Sequence, residues 1–188
     1  MGYIREYYER IINLQESEWK FISSHFSKRV FAKNSIITRR GEIENYLSFV
    51  ESGIIRFFIP DDENELTFNF CFDKEFTCAY DSFLTRTASE YELQALTETI
   101  VWQISYDDLQ KVYAQTIAGN YLGRFVAERL CLQKSRRELA LLKHTAKQRY
   151  LNLFHEQPDI LKHIPLKYVA SYIGITPQAL SRIRRQIS

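Results

Sequence analysis

Residues 164–188 constrain the chain more tightly than any other stretch. Leu166, Val169, Ala170 and Ile173 recur at i, i+3, i+4 and i+7, which places four apolar side chains on one face of a helix. Gly174 ends that helix, because glycine enters a left-handed turn without steric cost, and Ile175 can plug the space behind the turn. Thr176 and Pro177 then open a second helix. The threonine caps free amide hydrogens, and proline at the first helical position gives up no hydrogen bond. Leu180, Ile183 and Ile187 form its inner face, leaving Gln178, Ser181, Arg182 and Arg185 outward. This is the pattern of a helix-turn-helix, whose second helix enters the major groove of DNA. An ordinary helical hairpin would share the apolar spacing, but has no need of the polar face.

Charge separates the chain into two parts. Residues 121–188 hold 13 Lys and Arg against 4 Asp and Glu, a net of +9, whereas residues 1–120 hold 12 against 19, a net of −7. The overall +2 hides this division. A polyanionic partner therefore belongs to the C-terminal third.

With 188 residues and 45% apolar content, one good core or two small ones can form. Arg5, Glu6, Glu9, Arg10, Glu16 and Glu18 interrupt the N-terminal apolar residues, so neither a signal peptide nor a membrane span is drawn there, and a cytoplasmic location is expected. Cys71, Cys78 and Cys131 are odd in number and lack C-x-x-C spacing, which excludes a disulfide framework or a zinc site and predicts buried reduced thiols. None of His25, His144, His155 and His163 lies between Phe31 and Ile104, so that segment offers no histidine to a metal or haem. Nucleophile-elbow, phosphate-loop and dinucleotide signatures are also missing, and the reading is not an enzyme.

Between Phe31 and Ile104 short β-branched and aromatic runs alternate with turn formers. The runs are residues 47–50, 54–59, 66–70 and 100–104; the turns include residues 51–53, 60–64 and 73–74, with Asp61 and Asp62 read as part of a hairpin turn. This predicts an antiparallel barrel or sandwich. Helices are expected at residues 6–13 and 16–26 before it, and from about 117 to 143 after it. In the long helix Tyr121, Leu122, Phe125, Val126, Leu130 and Leu132 form an apolar stripe, with Arg124, Glu128, Lys134 and Arg137 on the wet side. Such a stripe can cover the β segment, pair two copies of the chain, or do each with different turns. We take Leu122, Phe125, Val126 and Leu132 as candidate dimerisation residues.

The motifs fall in an order that resembles the Crp/Fnr family of transcription regulators. Arg40-Gly41-Glu42 with residues 46–53 is similar to the family's early β-roll. Ile104-Ser105-Tyr106 before Asp107-Asp108-Leu109 is similar to its last roll strand, residues 145–151 to the helix opening the DNA-binding domain, and residues 164–185 to the helix-turn-helix. The resemblance implies an α+β chain. Residues 1–115 would form an antiparallel, jelly-roll-like sensory β-roll with flanking helices, residues 116–143 a long dimerisation helix, and residues 144–188 an all-α helix-turn-helix. Because three residues follow Arg185, a full β-hairpin wing is not expected.

The departures bear on the effector. Cyclic AMP-binding members use a cassette of the form F-G-E-L-A-L, followed by an arginine for the phosphate. Here Phe76-Thr77-Cys78-Ala79-Tyr80 places Cys78 at the glycine and Ala79 at the glutamate, and Ser89 falls where the arginine belongs. An unpaired phosphate would be costly to desolvate, so no response to cyclic AMP and no cofactor are expected. Asp81 and Arg86 could replace the missing pair only if the loop shifted; residues 81–85 read instead as a short capped helix with Phe83 and Leu84 inward. Tyr80, Ser82, Arg86 and Tyr91 are the candidate polar groups for another effector. Four-cysteine iron–sulfur sensing lacks its N-terminal cysteines, and nothing near Cys71 or Cys78 in sequence lowers a thiol pKa.

The resemblance also assigns DNA roles. Gln178 and Arg182 match positions that read bases, by pairing with adenine and with guanine O6 and N7, while Lys167, Thr176, Ser181, Arg184 and Arg185 suit phosphates. Expected partners are double-stranded DNA, a second copy of the chain, RNA polymerase and a small-molecule effector, with no membrane. The alternative is a ligand-binding or protein-interaction module with a vestigial helix-turn-helix.

Overall fold

The computed structural model describes residues 1–61 and 65–187. Helices α1 (Gly2–Glu9) and α2 (Glu16–Ser24) lead into strands β1 (Ser27–Phe31), β2 (Ile36–Thr38), β3 (Tyr46–Ser52), β4 (Ile55–Ile59), β5 (Leu66–Cys71) and β6 (Phe76–Thr77). Helix α3 (Tyr80–Thr85) precedes β7 (Glu92–Ala95) and β8 (Thr99–Ser105). The chain then becomes helical through α4 (Tyr106–Gln115), α5 (Ile117–Lys143), α6 (Ala146–Glu156), α7 (Pro158–His163), α8 (Leu166–Tyr172) and α9 (Pro177–Arg185). Of the expected 60–64 turn, Asp62, Glu63 and Asn64 lie outside the described residues.

The strands form two antiparallel sheets, ordered β1-β8-β3-β6 and β2-β7-β4-β5. Period-two alternation decides what each face of the first sheet covers. Leu47, Phe49 and Ile104 point to a cluster completed by Ile4 and Tyr8 of α1, Trp19 and Ile22 of α2, Leu109 and Val112 of α4, and Leu122 of α5. Val50 and Val101 point the other way and meet Ile55, Phe57, Cys71 and Leu93 of the second sheet. The first sheet is thus the middle layer, and the jelly-roll reading of the fold holds. At Gly53, φ is +117°, and a Cβ there would lie 2.8 Å from the Thr99 Cα, so the β3–β4 turn requires glycine.

Local capping sets the helix starts. The Ser105 side chain accepts from the Asp108 amide, Thr116 caps α5, and Thr145 with Gln148 forms a reciprocal capping box on α6. At 1.5 Å per residue the 27 residues of α5 span about 40 Å, so its first turns lie on the roll and its last turns reach the C-terminal helices.

Several expectations change. Leu122 is buried in the chain's own core and Phe125 and Val126 pack against it, because the first turns of α5 cover the helix-facing side of the first sheet. Leu132, further along, is exposed. Arg137 is half-buried rather than wet: its Nη2 donates to the Tyr172 carbonyl at 2.8 Å and its guanidinium stacks on the Tyr172 ring. Helix α3 does form, but without a side-chain cap, and only Phe83 turns inward while Leu84 is exposed. Cys71 and Cys78 are buried, yet Cys131 on α5 is exposed. Among the described residues no helix is long and apolar enough to cross a membrane.

Candidate functional site

The turn between α8 and α9 has the geometry its sequence requires. Gly174 adopts φ +78°, the Thr176 hydroxyl accepts from the Ala179 amide at 3.2 Å, and Pro177 occupies the first turn of α9. Val169, Ala170, Tyr172, Ile173 and Leu180 are buried together with Tyr150, Leu153, Ile160 and Ile164 of the preceding helices. Two expected core residues are not inside. Leu166, at the first position of α8, is 43% exposed because it sits a turn before the packed face, and Ile187, past the end of α9, is 37% exposed.

Lys167, Thr176, Gln178, Ser181, Arg182, Arg184 and Arg185 are all exposed. Gln178, Arg182 and Arg185 stand at i, i+4 and i+7, one face of α9 opposite Leu180. The structure therefore brings together an amide, a hydroxyl and guanidinium groups on a helix held rigidly from behind. Lys167 lies on α8, with its Nζ 4.6 Å from the centre of the Tyr168 ring.

This unit is seated on the roll by contacts absent from the sequence reading. The Ser171 hydroxyl accepts from the Thr67 amide at 2.8 Å and donates to the Glu65 carbonyl at 2.9 Å, so a helix side chain completes the open edge of β5. Arg56 of β4, 1% exposed, lies between the rings of Phe58 and Tyr168 at 4.2 and 3.8 Å, and donates to Thr67 and Glu65 at 2.8 Å each. Phe70 packs on Tyr172. Polar residues in a β run gave the only sequence signal, an arginine within an otherwise apolar strand.

A cavity of about 540 Å³ separates the roll from α5. Its wall is strongly aromatic, with Tyr7, Phe57, Phe68, Tyr80, Tyr91 and Phe125, and it carries Arg129 and Lys134 from the helix. Of the four candidate effector groups, Tyr80 and Tyr91 line it. The Tyr91 hydroxyl donates to Asp81 at 2.5 Å, and burial together with this bond pushes its ionisation far up, so it stays a neutral donor. Ser82 and Arg86 are elsewhere. The Ser82 hydroxyl accepts from the Glu44 amide and donates to the Thr87 carbonyl, and Arg86 donates to the Glu44 and Phe83 carbonyls and to Asn45. Both are consumed in tying α3 to the 43–45 loop. At the cassette, Cys78, Ala79 and Ser89 are buried, and Ser89 donates to the Tyr91 carbonyl. Burial pushes the Cys71 and Cys78 thiols up, away from reactivity. No group of three or more His, Cys, Asp and Glu suited to a metal occurs among the described residues.

Residues 28–116 match the cyclic nucleotide-binding domain family. No curated protein matches the sequence. Solved structures share the fold across nearly the whole chain. The c-di-GMP-responsive global regulator CLP of Xanthomonas campestris is 18% identical with a TM-score of 0.69, over 92% of this chain and 91% of that one. A CooA mutant from Carboxydothermus hydrogenoformans is 16% identical with a TM-score of 0.72, over 95% and 82%. A protein described as a Crp/Fnr-family transcriptional regulator, from Eubacterium rectale, is 22% identical with a TM-score of 0.66, over 93% and 83%. The family match spans residues 28–116, which hold nearly all of the roll, and the three solved structures share the fold of the chain from the roll to the C-terminal helices.

Proposed function

We propose that this chain is a homodimeric, sequence-specific DNA-binding transcription regulator of the Crp/Fnr type, working in the cytoplasm and unresponsive to cyclic AMP. The observation that carries the reading is the exposed Gln178, Arg182 and Arg185 face of α9 behind a fully packed turn. A side chain that must grip a base edge needs a rigid support, and Leu180, at 1% exposure, supplies it. Gln178 and Arg182 read bases, whereas Lys167, Thr176, Ser181, Arg184 and Arg185 hold phosphates.

Dimerisation is supported by α5 beyond its packed turns. Ile117, Tyr121, Leu132, Leu139 and Leu142 are exposed along one side of the helix, a spacing that suits a twin helix. Leu122 is assigned to the chain's own core, and Leu139 and Leu142 replace it in the proposed seam. The cyclic AMP reading rests on Ser89 and Arg86: the first has no charge, and the second is bound to the 43–45 loop. The aromatic cavity takes a different small-molecule effector, and RNA polymerase is the further partner such a role implies.

Selection of bound sites from random DNA tests the proposal. An inverted repeat with half-sites one helical turn apart is expected. On the selected site, Arg182→Ala should weaken binding by about 1–3 kcal/mol and relax preference at one base pair, while Lys167→Ala weakens all sequences alike. No enrichment, with cell extract present to supply an effector, would favour an interaction module instead.

A further inference from the structure

A second cleft, of about 870 Å³, opens between α5, α6 and the end of α8, on the inner side of the C-terminal helices. Its charge is lopsided: Arg129, Lys134, Arg136, Arg137, Lys143 and Arg149 line it, against Glu75 and Glu156. Two of the cations form its floor. Arg137 donates to the Tyr172 carbonyl at 2.8 Å, and Arg149 donates to the Ile173 and His144 carbonyls at 2.9 and 2.6 Å. Among the described residues neither Arg137 nor Arg149 makes an ion pair, and neither do Lys134 and Lys143.

Carbonyl dipoles orient a guanidinium but do not cancel its charge. Arg137 is half-buried, and its affinity for a proton is lowered by burial and by the neighbouring charge of Arg149. Two guanidiniums held this way repel each other until an anion sits between them, and the remaining N–H groups offer the forked geometry that matches a phosphate. The size is right as well, since small-molecule sites commonly enclose roughly 300–1,000 Å³. The cleft shares its Phe68 end with the aromatic cavity of the roll, including Arg129 and Lys134 together with Glu75. A phosphate at the Arg137 end could therefore belong to a molecule whose apolar part reaches Phe68.

We propose that this cleft is a binding site for a phosphate-bearing small molecule, held by Arg137 and Arg149 with Lys134 and Lys143 at its walls. The site is distinct from the DNA-facing side of α9. It would tie the ligand directly to the two side chains that hold the carbonyl end of α8. Occupancy would thus reach the base-reading helix without passing through the cassette.

Isothermal titration of inorganic pyrophosphate into the full chain, without DNA, tests this. One saturable site per chain with a Kd below about 1 mM is expected. Arg137→Lys and Arg149→Lys should each weaken it about tenfold or more, by loss of forked hydrogen bonds. Lys134→Ala with Lys143→Ala should weaken it similarly, and since neither lysine makes a side-chain hydrogen bond or ion pair among the described residues, this variant keeps its fold. Arg182→Ala with Arg185→Ala should leave binding unchanged. The proposal is overturned if no saturable binding occurs, if the Lys134/Lys143 variant binds as the parent does, or if binding disappears with Arg182 and Arg185.

Discussion

The contact between Arg56 and Tyr168 should prove an energetic clamp holding α8 to the roll. Arg56 is 1% exposed, so its charge has left water, and the Tyr168 ring at 3.8 Å is one of the few groups that meet it. The ion pair to Glu65 contributes little by itself because that carboxylate is 46% exposed, a setting in which pairs amount to about 0–1 kcal/mol. A desolvated cation–π contact is stronger, about 2 kcal/mol. Arg56→Met keeps the volume, removes a buried charge whose Nη2 has no hydrogen-bond partner among the described residues, and so should cost the roll little. Tyr168→Ala should cost about 2–4 kcal/mol, from the lost contact and the lost packing on β4. A double-mutant cycle by urea denaturation should then return a coupling of about 2 kcal/mol, because once Arg56 is gone the ring loses only its packing. Hydrogen exchange should accelerate at the Thr67 amide and through α8 in either single variant. A coupling under about 0.5 kcal/mol would show that the stacking is incidental and that Ser171 and Phe70 hold the helix alone.

Two further outcomes follow from side-chain environments. Glu51 accepts from the Trp102 indole and lies near Lys28, and that hydrogen bond followed by the lysine's charge holds its carboxyl below the ordinary value. Its stabilising effect is present above the unfolded glutamate pKa and is lost as pH falls through the lowered folded value. Glu51→Gln should accordingly lower the melting temperature at pH 7, by the loss of about 1 kcal/mol, and have little effect near pH 3; an equal loss at both pH values would contradict this. Thiol labelling of the native chain should modify Cys131 quickly and leave Cys71 and Cys78 untouched until denaturant is added. Rapid labelling of all three would mean that the core clusters open far more readily than their burial implies.

The sequence made the α8–α9 turn legible because its determinants are local: Gly174, Thr176 and Pro177 each act through their own backbone. The strands β3, β4, β5 and β8 were legible for a related reason, since buried strands need apolar runs. The strands not anticipated, β1, β2, β6 and β7, are either short or, like Ser27–Phe31, exposed along most of their length, so composition does not mark them. The candidate effector residues were half legible. Tyr80 and Tyr91 reach the cavity, but Ser82 and Arg86 resemble ligand groups equally well in sequence, and only the fold shows them spent on the 43–45 loop. Arg56 was marked only as an arginine within an apolar strand, and the partners of Arg56, Arg137 and Arg149 could not be read. Each acts on a group 24 to 112 residues away, and nothing in its own neighbourhood announces that partner.

Those three arginines join the roll, α5 and α8 into one connected unit. The helix α5 is a shared wall: its first turns close the aromatic cavity through Phe125 and Arg129, and its later turns carry Arg137 to the Tyr172 carbonyl. Any ligand that shifts α5 against the roll must move Arg137 relative to Arg56, and α8 is held by both. Ser171 also fixes α8 to β5, so displacement has a short list of outcomes: either α8 follows α5 and the β5 contacts break, or α8 stays on the roll and the Arg137 contact breaks. A packed core that cannot deform continuously converts such a conflict into two states. Since the short turn at Gly174 joins α8 to α9, the position of the exposed Gln178 and Arg182 face follows whichever contact survives.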